Sequence, residues 1–423
     1  MMSQTADSKL INYSPAKIAT KKILLAHSGK QHSYQVAKAL LDVHALDTFY
    51  TSSYIRNSNV QQLLRDHTFW SRRFLSGLGG KKVDANWRFE IPEIILRKAL
   101  GKHPRVQQAV YHRDVNFDNY VSRKLTNSNA NMYWGFQGSC YKSLQTASER
   151  GMQTVCELAT AHVKSAKRIL GEEQQLHPEW ADSIDNLIFP AAYEHRLEEE
   201  PHRADYVVAA SDFTRQTLVE DGVSENKIIQ LPLGFDMDHI PYRLKERKGR
   251  PLKLLYAGTL TQRKGIKYLL EAMQRFKKEE VELHCIGGVQ GSGKGLLPYK
   301  QNYVYHSPVS QQELFSQYAH YDALVLPTLF EGFGLVIVEA MAAGLPVITT
   351  RHSFGTELIQ HEHNGYLVPI RDVNGIAEAI SQLLNLSDEA YGEMSQLARS
   401  AVLDYSWQAY RARLKTVVDK ISS

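Results

Sequence analysis

Short apolar runs with strand spacing alternate with helical patterns along nearly the whole chain, and that alternation admits few folds. Parallel sheets with helices on both faces satisfy it. The first run, Lys22-Ile-Leu-Leu-Ala-His27, leads through the turn Ser28-Gly-Lys-Gln31 into a helix from His32 to Val43 and a strand near Thr48 to Thr51. Strands are also expected at Asn131–Trp134, Thr154–Leu158, Tyr206–Ala210 and Lys227–Leu233. A helix from Ser139 to Arg150 ends at Gly151, a residue type that closes helices, and Ser211 caps a helix that ends near Gly222. A second series starts at Leu252–Ala257 and continues through Val281–Ile286, Ala323–Leu326 and Val347–Thr350. Within it, Ser310-Gln-Gln-Glu313 is a capping box that starts a helix. Between the two series, residues 236–251 are charged and bracketed by prolines, as a linker would be. The expected fold class is therefore α/β, with two doubly wound domains at 1–235 and 252–404. Ligands in such sheets bind at the carboxyl ends of the strands.

At 423 residues the chain is long enough for two domains, each burying most of its unfolded surface. No apolar stretch reaches the ~18 residues of a membrane span. The opening residues are polar, without the apolar core of a secretory signal, and 1–20 read as a poorly ordered lead-in. Cys140, Cys156 and Cys285 lack metal-ligand spacing and fit a reducing compartment. The net charge of +5 is uneven, since residues 61–125 hold thirteen Lys or Arg against six Asp or Glu. Phe69, Trp70, Phe74, Trp87 and Phe89 are interleaved with that charge. Two readings stand for this region: a surface for an anionic membrane or large anionic acceptor, or a solvated helical face with a few core aromatics. No recognised nucleic-acid motif accompanies it, so no nucleic-acid partner is expected.

The stretch Gly287–Gly295, GGVQGSGKG, imitates a phosphate-binding P-loop after the strand at 281–286. Position 295 is glycine where the motif needs a Ser or Thr hydroxyl for Mg²⁺. Pro298 also falls where the motif's helix should begin, at a cost of roughly 3 kcal/mol inside a helix. A mobile glycine loop is the better reading. Two shorter lookalikes, Asp236-Met-Asp238 and His361-Glu-His363, fall in the linker and before a turn, and no metal site is expected from either.

The run from Pro327 to Gly344, PTLFEGFGLVIVEAMAAG, carries the chemistry. It starts at a strand's carboxyl end and becomes an Ala-rich helix with Gly332 and Gly334 where a capping side chain would stand. The free N–H groups of Phe333, Gly334, Leu335 and Val336 would face outward with the positive end of the helix dipole, which suits a diphosphate. Glu331 and Glu339 bracket this loop, and a carboxylate can accept two hydroxyls of a sugar or a ribose. Taken singly, the two acids would read as a capping residue and a surface helix residue.

This segment resembles the E-x7-E signature of the retaining nucleotide-sugar glycosyltransferases of family 4, which have the GT-B fold of two facing Rossmann-like domains. The resemblance extends to Leu254–Ile266, to Leu231-Pro-Leu-Gly-Phe-Asp236, to Tyr206–Thr214 with Gly222 and Val223, to Asn364–Pro369 and to the Trp407 region. It is strong from about residue 150 onward and weak before. It implies that 252–404 is the donor domain, that 1–235 is the acceptor side, and that 405–423 is a helix returning to the first domain. Glu331 would contact the donor sugar and Glu339 the ribose. Backbone from Gly332 to Val336 and the side chain of Lys264 would hold the phosphates. Family members often have Arg after the first glycine of the basic loop, Gly258, where this chain has Thr259, and Arg263 would be the replacement cation. His162 falls where the family often has a histidine beside the donor sugar, although a lone histidine also reads as structural. Gly29 would approach the donor from the other domain.

The expected reaction moves a hexosyl group from a UDP- or GDP-sugar to a hydroxyl of a glycan or lipid-linked acceptor, with retention and without a metal or other cofactor. The expected place is the cytoplasm, with 61–125 in peripheral contact with the inner face of an anionic membrane. The alternatives are a noncatalytic GT-B scaffold, which Thr259 would suit, an epimerase or phosphorylase on the same fold, and an ATP-using enzyme.

Overall fold

A computed structural model of the chain describes residues 21–422 except 30–31, 65–66, 68, 102–103, 185–186, 188 and 243–250. The expected lead-in at 1–20 and most of the expected linker thus lie outside the described residues.

The amino-terminal domain runs β1 (Ile23–His27), α1 (Ser33–Asp42), β2 (Leu46–Thr51), α2 (Ser58–Leu64), β3 (Val83–Ala85), α3 (Ile91–Leu100), α4 (Pro104–Leu125), β4 (Met132–Phe136), α5 (Tyr141–Glu149), β5 (Gln153–Leu158), α6 (Val163–Leu176), α7 (Ala191–Arg203), β6 (Tyr206–Ala209), α8 (Asp212–Glu220) and β7 (Ile228–Gln230). The second domain runs β8 (Leu252–Ala257), α9 (Ile266–Met273), β9 (Val281–Ile286), β10 (Val304–His306), α10 (Gln311–Gln317), β11 (Ala323–Leu326), α11 (Leu335–Ala342), β12 (Val347–Thr350), α12 (Gly355–Leu358), β13 (Gly365–Val368), α13 (Val373–Leu384) and α14 (Asp388–Ser400). A last helix, α15 (Trp407–Ser422), follows.

The first sheet has the order β3-β2-β1-β4-β5-β6-β7 and the second β10-β9-β8-β11-β12-β13. Both are parallel throughout, with Leu25 facing Trp134 and Phe49 across β1, and Leu324 facing Leu255 and Val347 across β11. Strands such as β1, β4, β11 and β12 are buried along their whole length, because helices cover both faces. In each sheet the chain reverses direction once, between β1 and β4 and between β8 and β11. A crevice opens at such a switch point, beyond the carboxyl ends of the strands. Helix α15 lies on α1, where Arg411 reaches Asp42 and Gln35, and the residue just before it pairs with the segment after β7, Phe235 bridging to Ser406.

The two domains meet along a polar seam centred on α6. Glu173, fully buried, accepts Gln262 Nε2 at 2.6 Å, Tyr268 OH at 2.8 Å and Arg371 Nε at 2.8 Å, all from the second domain. Arg371 also bonds Glu172 and the carbonyl of Ile169. The P-loop lookalike completes the seam. No α-helix follows it; Pro298 sits in a 3₁₀ turn, Lys294–Tyr299. Gly291 packs so close to Asp182 of the first domain that a Cβ there would stand 2.3 Å from its carbonyl oxygen, and the N–H of Ser292 donates to the Asp182 carboxylate at 2.8 Å. This glycine loop is a socket for the other domain.

Removing one partner of a fully buried ion pair costs about 3–5 kcal/mol. Arg371 keeps Glu172 and some solvent, so Glu173→Ala is expected to cost about 2–3 kcal/mol. Urea unfolding followed by tryptophan fluorescence checks this; an unchanged midpoint would mean that the seam does not hold the domains.

Candidate functional site

The second switch point builds the site from two loops. One leaves β8, forms a 3₁₀ turn at Gln262–Lys264 and enters α9. The other leaves β11 and enters α11. They are bonded together, since the carbonyl of Arg263 accepts the Leu329 N–H at 2.8 Å and the Thr328 hydroxyl at 3.2 Å. This contact brings Arg263 Nη1 to 3.1 Å and Lys264 Nζ to 2.9 Å from the same oxygen of Glu331. Burial alone would raise the pKa of Glu331, but the charges of Lys264 and Arg263 outweigh it and hold the group below the usual carboxylate range. Shortly after it, Gly334, whose backbone is left-handed (φ 80°), stands at the N-cap of α11, and no side chain caps the helix. An uncapped N-terminus, two cations and a carboxylate therefore converge.

Glu339, one turn inside α11, is only 5% exposed. Gln311 Nε2 donates to one of its oxygens at 2.8 Å and Tyr318 OH to the other at 3.1 Å. Burial raises its pKa, and these two bonds oppose the rise. It is thus neither a surface acid nor a free one. A carboxylate has about four acceptor positions, so ribose hydroxyls can still be added.

The loop faces the first domain across a cavity of about 770 Å³. Gly258, Arg263, Lys264 and the stretch from Phe330 to Val336 form one wall. The opposite wall comes from the β5–α6 turn at Ala159–Ala161 and from Tyr111, Gln137, Phe189 and Tyr193. The walls touch at Gly332, where a Cβ would lie 1.7 Å from the Ala159 carbonyl oxygen, so only glycine fits. Tyr111 and Tyr193 stack with centroids 4.5 Å apart, and Phe189 tilts against both. Tyr193 is fixed by its hydroxyl, which donates to Asp114 at 2.7 Å; Asp114 also takes Ser28 Oγ at 2.6 Å and Arg113 at 2.8 Å.

Four of the residues singled out from the sequence lie outside the cavity lining. Glu339 stands behind the loop. Thr259 turns its carbonyl to Tyr256 OH, at 2.8 Å. Gly29 donates its N–H to His27 Nδ1 at 2.7 Å, on the β1 side. His162 stands at the N-cap position of α6 without a side-chain capping bond, and its fully buried ring is turned toward Asp221, 3.4 Å away; burial lowers its pKa. The aromatic wall was not singled out from the sequence, where Leu187-Ile-Phe-Pro-Ala-Ala-Tyr193 has no motif spacing. Its only signal is three aromatics at 111, 189 and 193, which nothing in the sequence links. Asp236 and Asp238 are exposed at the interdomain crossing and His361–His363 on a loop; among the described residues no group of three or more His, Cys, Asp or Glu is placed to hold a metal.

Residues 251–386 match the family model described as glycosyl transferases group 1. This stretch, the greater part of the second domain, is similar to a group 1 glycosyltransferase domain. WcaL of Salmonella typhimurium, a glycosyltransferase assigned to colanic acid biosynthesis, is 25% identical over 233 residues, covering 52% of this chain and 57% of WcaL. The chain spans about half the length of the curated relatives it matches. Sucrose-phosphate synthase from Thermosynechococcus elongatus superimposes with a TM-score of 0.63 at 18% identity, over 95% of this chain and 99% of that one. HepE from Anabaena, solved with UDP-glucose, gives 0.60 at 15%, over 95% and 100%. The two facing domains are the GT-B fold. Within the matched stretch the loop Pro327–Gly334 and helix α11 stand at the switch point, facing the other domain.

The Glu331 pair has a pH signature. Its folded pKa lies below the unfolded value of 4.5, so its ionised form stabilises the fold above that value. The contribution fades as pH falls through the depressed folded value. Melting between about pH 6 and pH 3 should therefore fall more steeply for the wild type than for Glu331→Gln. Parallel curves would mean that the ion triad does not form in solution.

Proposed function

We propose that the protein is a retaining hexosyltransferase that uses a nucleotide sugar, as the family 4 resemblance implies. The observation that carries this is the convergence of Glu331, Arg263 and Lys264 with the uncapped start of α11 on a cavity between two domains. The nucleoside diphosphate of a UDP- or GDP-sugar would lie against the N–H groups from Gly332 to Val336. Glu339 would take the ribose hydroxyls and Glu331 the hydroxyls of the sugar. As the bond from the anomeric carbon to the phosphate oxygen breaks, negative charge grows on the diphosphate and the sugar becomes oxocarbenium-like. Lys264, Arg263 and the helix N-terminus stabilise that charge without a metal ion. The departing phosphate oxygen takes the acceptor's proton, and attack from the same face retains configuration. His162 is left out of the chemistry, since its buried ring is turned toward Asp221 and does not line the cavity.

The stacked aromatic wall supports a glycan acceptor, because a pyranose presents an apolar face to such rings. The surplus of basic residues in 61–125 supports a lipid-linked acceptor met at the inner face of an anionic membrane. The three free, buried thiols are in keeping with a cytoplasmic site. Among the described residues no helix is long and apolar enough to cross a membrane, so the contact would be peripheral.

The test is binding and turnover across UDP-, GDP- and ADP-sugars, with ATP included. One nucleotide sugar should bind saturably, and Glu339→Ala should weaken it by roughly ten- to a hundredfold through two lost charged hydrogen bonds. Lys264→Ala should lower the rate by about 10²–10³-fold. Binding without turnover by the wild type would favour a noncatalytic scaffold, with Thr259 as the broken element. Hydrolysis of ATP that depends on Lys294 would revive the P-loop.

A further inference from the structure

We propose that the groove between α3 and α4 holds the phosphate headgroup of an anionic membrane lipid while α3 lies in the bilayer interface. The inference rests on the peripheral contact argued above and assigns it a site.

Helix α3 is an unusual surface element. Only Glu93 is buried, whereas Ile91, Ile95 and Leu100 are 45%, 60% and 39% exposed. Exposed aliphatics that crowd one short helix are not explained by packing within the domain. Arg97 and Lys98 lie in the last turn of the same helix. At ten residues α3 cannot span a bilayer, but it can lie along one with its apolar side chains in the acyl boundary.

The groove beside it has a volume of about 380 Å³. Arg88, Arg105, His112 and Arg113 line it with Phe89 and Leu96, and no carboxylate is among the residues that line it. Of the carboxylates described in this region, Asp84 meets Arg56 and Tyr120, Glu90 meets Arg73, and Asp118 meets Arg196. Asp114 meets Ser28, Tyr193 and the groove's Arg113, so the charge of the groove rests on Arg88 and Arg105 more than on Arg113. Glu93 lies under the groove, paired to Arg97 and to Arg113. Arg88 extends over the Phe89 and Tyr120 rings, which leaves the guanidinium at the groove edge. A cationic groove with projecting aliphatics beside it matches a ligand with an anionic head and an apolar body. Nucleic acid would use the charge and leave the aliphatics unsatisfied.

The position relative to the cavity gives the contact a purpose. His112 and Arg113 line the groove, and Tyr111, their neighbour on α4, lines the interdomain cavity. The two sites stand back to back on one turn of helix. A headgroup in the groove would set the mouth of the acceptor side against the bilayer, where a lipid-linked hydroxyl can enter.

The full chain would be sedimented with vesicles of phosphatidylcholine alone and with about one third phosphatidylglycerol. Binding is expected to the anionic vesicles and not to the neutral ones. The triple variant Arg88→Gln, Arg105→Gln, His112→Gln should bind the anionic vesicles about tenfold to a hundredfold less well. The pair Ile91→Ser and Ile95→Ser should also lose binding. The pair Lys277→Gln and Lys278→Gln, exposed on the other domain, should not. Circular dichroism and retained nucleotide-sugar binding show that each variant is folded. Vesicle binding kept by the triple variant but lost by the isoleucine pair would overturn the groove assignment and leave the membrane contact standing. Equal binding to neutral vesicles, or tighter binding to a random oligonucleotide, would overturn the lipid assignment. No vesicle binding at all would overturn both the groove and the peripheral contact, and would leave the transfer reaction untouched.

Discussion

A buried carboxylate that belongs to one domain and is satisfied by the other governs this structure. Glu173 cannot be left unpaired without a large desolvation penalty, and its three donors come from Gln262, Tyr268 and Arg371. Gln262 immediately precedes the two basic residues of the site, so the bond that joins the domains also fixes the turn that carries Arg263 and Lys264. The glycine socket at Gly291 and the Ala159–Gly332 contact mark two further points of close approach. Between them the walls stand far enough apart to leave the cavity. Geometry at the cleft thus follows from polar contacts some way from the chemistry.

The same economy appears in the electrostatics. Glu331 and Glu339 carry the same charge chemistry and sit eight positions apart, yet their environments push them in opposite directions. Two cations hold Glu331 ionised, while Glu339, behind the loop with only neutral donors, is shifted toward its protonated form. Neutral donors satisfy a buried carboxylate without supplying countercharge, so burial wins there. The two glutamates thus differ in how firmly the ionised form is held, by two cations at Glu331 and by neutral donors alone at Glu339.

The sheets were legible in the sequence because buried parallel strands are continuous apolar runs, and β11 and β12 coincide with Ala323–Leu326 and Val347–Thr350. Short edge strands were not. Strands β3 and β10 have three residues each, and β10 is largely exposed, so no apolar run marks them. The run from Pro327 to Gly344 was legible because its parts are contiguous: strand end, glycines, helix start and two glutamates within one short stretch. The aromatic wall was not, since Tyr111 and Tyr193 are brought together only by the packing of α4 and α7 against the first sheet. The direction in which the His162 ring points was equally hidden. It depends on Asp221 at the end of α8, which no local pattern associates with α6.

The replacement of an expected arginine by Thr259 has a physical answer in the geometry of the cation pair. Arg263 and Lys264 share one carboxylate oxygen, so the triad as it stands carries one unit of positive charge beyond neutrality. In the proposed reaction an incoming diphosphate, more highly charged than a carboxylate and drawn to the helix N-terminus, would compete for both cations. Glu331 would lose countercharge as the phosphates gained it. The carboxylate would then be released as the sugar hydroxyls arrived to bond it. An arginine at 259 would add a further cation but would not create this exchange, which needs the cations already seated on the acid that must let them go. Within this scheme a threonine at 259 weakens the grip on the diphosphate, while the coupling between phosphate binding and the freeing of Glu331 stays with Arg263 and Lys264.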